Sequence, residues 1–198
     1  MPAQRADARR NHARLLAIAE AEVAAHGAEA SLEQIARRAG LGSATVRRHF
    51  PGRRALLEAV FRERIEALCL RAGELTDAAD ARSALLTWLG AVIAHAASAR
   101  GMAAALTPDA VAAQESECAA KLTEAGEPLV RRAVRDGAVA SGVTAADLLT
   151  LITGIALATE HHADRAAEAD RLLRLTMAGI SPPGSAIDRA SSPAGAHR

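Results

Sequence analysis

The sequence predicts an all-α protein, with an N-terminal three-helix helix-turn-helix unit followed by a C-terminal helical bundle, about nine helices in all. Three observations carry this. Ala is abundant, with Leu, Arg and Glu, and these residues favour helix over strand. No segment alternates apolar and polar residues with the period of two that a half-buried strand requires. Apolar residues recur instead at intervals of three and four, in runs bounded by Gly, Pro and capping residues.

The polar residues 1–8 read as a flexible arm. A first helix is expected from about Arg9 to His26, where Leu15, Ala19 and Val23 recur at four with Leu16 alongside, and Gly27 stops it. Ser31 stands three residues before Gln34, the spacing of a capping box, so a short helix starts at Ser31 and ends at Gly40. Ser43 can cap the next one, 43–49, before the turn Phe50-Pro51-Gly52. A long connecting helix follows at 53–75, striped by Leu57, Phe61, Ile65 and Leu68. Residues 80–99 carry Leu85, Leu86, Trp88, Leu89, Val92 and Ile93, apolar nearly all round, which marks a buried helix. A short turn of helix near 101–106 leads to Thr107-Pro108, a cap with proline at the first helical position. The helical region beyond runs to about Asp136, with a break or kink expected at Gly126 and Pro128. Helices at 144–161, opened by Thr144 and Asp147, and at 165–179 complete the bundle. The Pro-, Gly- and Ser-rich stretch 181–198 reads as a disordered tail.

The division is therefore an arm (1–8), a helix-turn-helix domain (9–52), a bundle domain (53–180) and the tail. With 50% hydrophobic residues in 198, the chain can bury a core without staples. Two cysteines, Cys69 and Cys118, lie in helical patterns, which suits free thiols inside the cell rather than a disulfide framework. The basic N-terminus lacks an apolar signal core and no stretch reaches the length of a membrane span, so a cytoplasmic protein without membrane contact is expected.

Charge is unevenly spread. The net charge is +1, yet residues 1–70 hold twelve Arg against eight acids. Between 37 and 54 there are six Arg and no acid at all. The stretch coincides with the paired short helices 32–38 and 43–49, a helix-turn-helix. Leu32, Ile35 and Ala36 supply an inner face for the first, Val46 and Phe50 for the second. Ser43, Ala44, Thr45, Arg47, Arg48 and His49 share the remaining surface. Such a helix lays its exposed face in the DNA major groove. Small Ser43 and Ala44 permit close approach, and Arg forks onto guanine O6 and N7. His49, Thr45 and Arg53 suit phosphate oxygens. Arg53 also opens the next helix, where backbone N–H groups can join it on a phosphate.

The string "ARLLAIAEAEVAAHGAEASLEQIARRAGLGSATVRRHFPGRRALLEAVFRERIEAL", with Thr45-Val46-Arg47-Arg48-His49-Phe50 at its centre, resembles the N-terminal domain of TetR-family transcriptional regulators. The resemblance implies double-stranded operator DNA as a partner. It carries the family's DNA-contact positions onto Leu32, Glu33, Ser43, Ala44, Thr45, Arg47, Arg48, His49 and Arg53. Arg47 departs from the family's usual Tyr, so operator preference does not carry over.

The back of the chain, "PLVRRAVRDGAVASGVTAADLLTLITGIALA" and "LLRLTMAGI", is similar to the family's effector-binding and dimerisation domain. That implies a homodimer joined through the last two helices, with Leu148, Ile152, Ile155, Leu172 and Leu175 as candidate contacts. It also implies a small-molecule effector near Trp88, His95, Met102 and Cys118. Read without the resemblance, Trp88 is a core residue and His95 a satisfied histidine. The pocket expected is mostly apolar, with few charges.

No Gly-rich phosphate loop, nucleophile elbow or zinc-spaced Cys/His set is present, so neither an enzyme nor a bound cofactor or metal is expected. Adjacent His161 and His162 point about 100° apart on a helix and do not share an ion easily. The reading is a ligand-responsive repressor that binds a palindromic operator as a dimer. The rival is a helical dimer that binds protein partners and no specific DNA.

Overall fold

The computed structural model describes the backbone of residues 2–103 and 108–181, and side chains at 12–27, 29–96 and 117–181. Eight α-helices follow one another among these residues: α1 Pro2–His26, α2 Leu32–Ala39, α3 Ser43–His49, α4 Arg53–Leu75, α5 Ala81–Ala103, α6 Pro108–Arg135, α7 Ala145–Ala158 and α8 Arg165–Gly179. A single 3-10 turn, Gly27–Glu29, follows α1. No strand occurs among the described residues.

Several boundaries differ from those expected. Helix α1 begins at Pro2 and not near Arg9. Its first residues are Pro, which suits the first helical position, then Ala, Gln and Arg, all compatible with helix. Gly101 does not end α5, which runs on to Ala103, so the separate helix near 101–106 is absent up to that point. Residues 104–107, including the expected cap Thr107, lie outside the described residues. Helix α7 stops at Ala158, three residues short of the expected end.

Helix α6 is continuous through Gly126 and Pro128. The glycine there serves packing. A Cβ at Gly126 would lie 2.7 Å from Cζ3 of Trp88 and closer still to Cη2. Trp88 is 0% exposed, and its Nε1 donates to the Leu68 carbonyl at 3.0 Å. The indole therefore fits only where the facing helix has no side chain.

The chain forms two compact units, residues 1–67 with 95–118, and residues 68–94 with 119–198. In the first, Leu15, Ala19, Ile35, Val46, Phe50 and Leu57 form a buried cluster that ties α1, α2, α3 and the start of α4 together. In the second, Leu85, Leu89, Leu129, Leu148, Leu173 and Met177 are all nearly inaccessible. Thr144 and Asp147 cap α7 reciprocally: the Asp147 N–H donates to Thr144 Oγ1 at 3.2 Å, and the Thr144 N–H to Asp147 Oδ2 at 3.0 Å. Ser181, assigned to the tail by composition, is held in place. Arg82 donates to its Oγ at 2.6 Å, and that hydroxyl lies 2.7 Å from the Met177 carbonyl.

Candidate nucleic-acid interface

Helix α2 starts where Ser31 Oγ accepts the Gln34 N–H at 3.3 Å. A full capping box would give the Ser31 N–H to Gln34. It goes instead to Oε1 of Glu22, on α1, at 3.3 Å. Gly40 closes α2 in the left-handed region, at φ 67°, where a side chain would be strained. The Gly40 N–H turns back to the carbonyls of Ala36 and Arg37, and the chain is redirected into α3. Gly42, not Ser43, is the N-cap of α3; Ser43 is its first helical residue.

This geometry sorts the residues of α3. Val46 and the following Phe50 are buried, while Ser43, Ala44, Arg47, Arg48 and His49 are exposed and Thr45 is half-buried. Glu33 and Arg53 are also exposed, and Leu32 is half-buried. His49 Nδ1 lies 3.4 Å from Nδ1 of His12 on α1, so one imidazole can donate to the other.

The six arginines without an acid between 37 and 54 are not unopposed in space. Carboxylates from outside that stretch meet four of them. Arg38 lies 3.6 Å from Glu22, Arg47 3.1 Å from Glu33, Arg53 3.4 Å from Glu29 and Arg54 2.7 Å from Glu58. Among the described residues, Arg37 and Arg48 have no carboxylate partner. Arg48 donates within its own helix, to the Ala44 carbonyl and Thr45 Oγ1, both at 3.4 Å. The Glu33 carboxyl is held below its ordinary range, first by its own backbone N–H, then by the Ser31 hydroxyl, with Arg47 adding to the effect.

Glu22 and Glu29 carried no signal in the sequence. Glu22 is buried and serves three groups: the Ser31 N–H, Arg38 and, at 3.8 Å, His26. Its partners Ser31 and Arg38, at the cap and in the last turn of α2, stand nine and sixteen positions away, a spacing that no helical rule connects.

The residues expected near an effector have different surroundings. Trp88 sits in the core of the second unit with its donor satisfied. His95 belongs to the first unit, packed on Phe61 with ring centroids 4.9 Å apart. Both its ring nitrogens are buried without a hydrogen-bond partner among the described residues. Burial, then the nearby Arg64 charge, lowers its pKa to about 4, so the imidazole is neutral. Cys118 is half-buried, and the Met102 side chain lies outside the described residues. Of the residues expected to join two subunits, Leu148, Ile152 and Ile155 are buried within the chain itself, and Leu172 is half-buried. Leu175 is 56% exposed, and so are Leu151 and Leu157 in good part, which the expectation did not include.

A helix-turn-helix with an exposed basic face, ahead of a helical bundle, defines a regulator of the helix-turn-helix class. Residues 15–60 match the family model of bacterial regulatory proteins of the tetR family, and residues 80–182 that of the SbtR-like transcriptional regulator C-terminal domain. A TetR transcriptional regulator from Streptomyces coelicolor is 33% identical, with a TM-score of 0.70 over 87% of this chain and 99% of that one. The TetR transcription regulatory protein from Mycobacterium vanbaalenii is 30% identical, with a TM-score of 0.65 over 90% of this chain and 99% of that one. A transcriptional regulator from Cytophaga hutchinsonii shares the fold, with a TM-score of 0.68 over 84% and 96% of the two chains at 15% identity. No curated protein matches. The chain belongs to the TetR family: it is a DNA-binding transcription regulator of all-α fold. No described helix is long and apolar enough to cross a membrane.

Proposed function

We propose that this regulator is a repressor that binds a palindromic operator as a homodimer and is released by a small, mostly apolar effector. The observation that carries the DNA part is the segregation along α3. Val46 anchors the helix from below while Ser43, Ala44, Arg47, Arg48 and His49 stay exposed. In this reading Arg47 or Arg48 reaches a guanine, and Thr45, His49 and Arg53 hold phosphates, with Leu32 and Glu33 at the edge of the contact. Pairing through α7 and α8 is supported by the apolar surface of Leu151, Leu157 and Leu175. An effector with a hydrogen-bonding group is supported by the His95 imidazole beside Phe61, whose nitrogens have no hydrogen-bond partner among the described residues.

Selection of bound duplexes from a random pool tests the reading. The expected consensus is an inverted repeat with half-sites about one helical turn apart, ~34 Å, or more if the heads splay. Affinity should fall steeply with salt as displaced counterions are lost as a driving force. Weak retention with no palindromic consensus would point to the alternative, a helical dimer that binds protein.

A further inference from the structure

Two arginines share the exposed face of α3, and the structure treats them differently. Arg48 has no carboxylate partner among the described residues and bonds only to its own helix. Arg47 reaches across to α2, where its Nη2 donates to Glu33 Oε1 at 3.1 Å. The other oxygen of that carboxylate, Oε2, accepts from Ser31 Oγ at 3.2 Å, and Ser31 in turn accepts the Gln34 N–H. Glu33 is thus tied to the N-cap of α2.

An acid on a surface that meets phosphates carries a cost, since it repels the backbone. It needs a compensating role, and the geometry supplies one. A guanidinium has five N–H donors, so the single bond to Glu33 leaves four. Those can still fork onto a guanine edge. A free guanidinium takes whichever phosphate is nearest; one already bonded to a carboxylate is oriented and gives up less freedom when a guanine arrives.

We propose that Glu33 is a specificity-determining residue: it holds Arg47 for base reading and withholds it from phosphate, leaving phosphate contact to partners such as Arg48 and Arg53. This rests on the DNA-binding reading above and adds to it which arginine reads a base. Arg53 carries a similar tether to Glu29 at 3.4 Å, yet it stands at the start of α4 and not on α3, so it provides the control.

The test uses the full chain and two duplexes, one selected by the wild-type protein from a random pool and one scrambled from it. Retention is measured over a salt series. Glu33→Gln keeps the shape and removes the charge. It should bind the scrambled duplex more tightly, with a salt slope steeper by about 0.9 for each arginine released onto a phosphate. Selectivity should drop about three- to tenfold, concentrated at one base pair of each half-site, a fraction of what a bidentate Arg–guanine contact supplies. Ser31→Ala should move in the same direction by less. In an Arg47→Ala background, Glu33→Gln should leave selectivity unchanged. Glu29→Gln should tighten both duplexes alike.

Unchanged selectivity in Glu33→Gln, from a wild-type protein that does discriminate, overturns the inference and leaves the DNA reading standing. So does an equal gain in scrambled binding with and without Arg47, because Glu33 would then act only as a repelling charge. A wild-type chain that retains no duplex overturns the DNA reading and this inference together.

Discussion

The two units of the molecule place their ion pairs differently. In the first, Arg54 pairs with Glu58 within α4, but four other arginines meet carboxylates on other helices or turns. Arg38 pairs with Glu22, Arg47 with Glu33, Arg53 with Glu29, and Arg64 with Glu20 at 3.4 Å. In the second, four pairs lie within about a turn: Arg71 with Glu74 at 3.1 Å, Arg132 with Asp136, just past the end of α6, at 3.6 Å, Arg171 with Glu168 at 2.6 Å, and likewise Arg174 with Asp170. A pair one turn apart adds a little to its own helix and specifies nothing beyond it. A pair between elements constrains where one helix lies against another, and where a long side chain points. The unit that must present arginines in a defined pose has four pairs of the second kind.

The largest effect should come from Glu22→Ala. The buried carboxylate serves Ser31 and Arg38, so its loss leaves the Ser31 N–H unmet and loosens α2 on α1. About 2 kcal/mol of stability should go, read as a lower denaturant midpoint at unchanged slope. A midpoint equal to wild type would mean that these inter-helix pairs are as dispensable as the local ones.

His95 tests the same contrast from the opposite side, its ring nitrogens being buried in the first unit without a hydrogen-bond partner among the described residues. Its folded pKa, about 4, lies below the ordinary 6.5. Between those values the unfolded chain binds the extra proton and the folded chain does not. Stability from this group is therefore complete above pH 6.5 and is lost as pH falls toward about 4. The loss should be about 1–2 kcal/mol after allowing for partial exposure. Replacing His95 by Leu should flatten that part of the stability–pH curve, and an identical slope in the variant would refute the assignment.

The smallest effect is expected from Arg174→Ala, which removes a local pair on the exposed side of α8. Thermal unfolding should show a change within about 0.5 kcal/mol. A change as large as that of Glu22→Ala would abolish the distinction between the two kinds of pair.

Much of the fold was legible because the signals are local. Ser31, Gly40, Pro108 and Thr144 mark helix ends through bonds to residues a few positions away, and the stripes of α1 and α4 follow from the helical repeat alone. The exposed residues of α3 were legible for the same reason: Val46 and Phe50 are four apart and define the inward side. Gly126 misled because its reason is remote. It reads as a breaker beside Pro128, and only the facing Trp88 shows that it is a notch. The leucines and isoleucines of α7 leave a similar choice open to the sequence reader: Leu148, Ile152 and Ile155 are buried within their own chain. A helical stripe says which residues avoid water, and not whether they bury against their own chain or another.

The sequence by itself determined the helical class, most of the helix boundaries, and the basic face of α3 with its small residues and arginines. These depend on backbone propensity, capping and a period of 3.6 residues, all of which act within a turn or two. Only the tertiary structure decided that the acid-free arginine stretch is met by Glu22, Glu29 and Glu33, besides the local partner Glu58, and that Arg47 alone on α3 has such a partner among the described residues. Glu58 apart, these carboxylates stand fourteen to twenty-four positions from their arginines. Charge attraction acts through space, so a residue's partner is settled by packing, which brings together positions that the sequence order keeps apart.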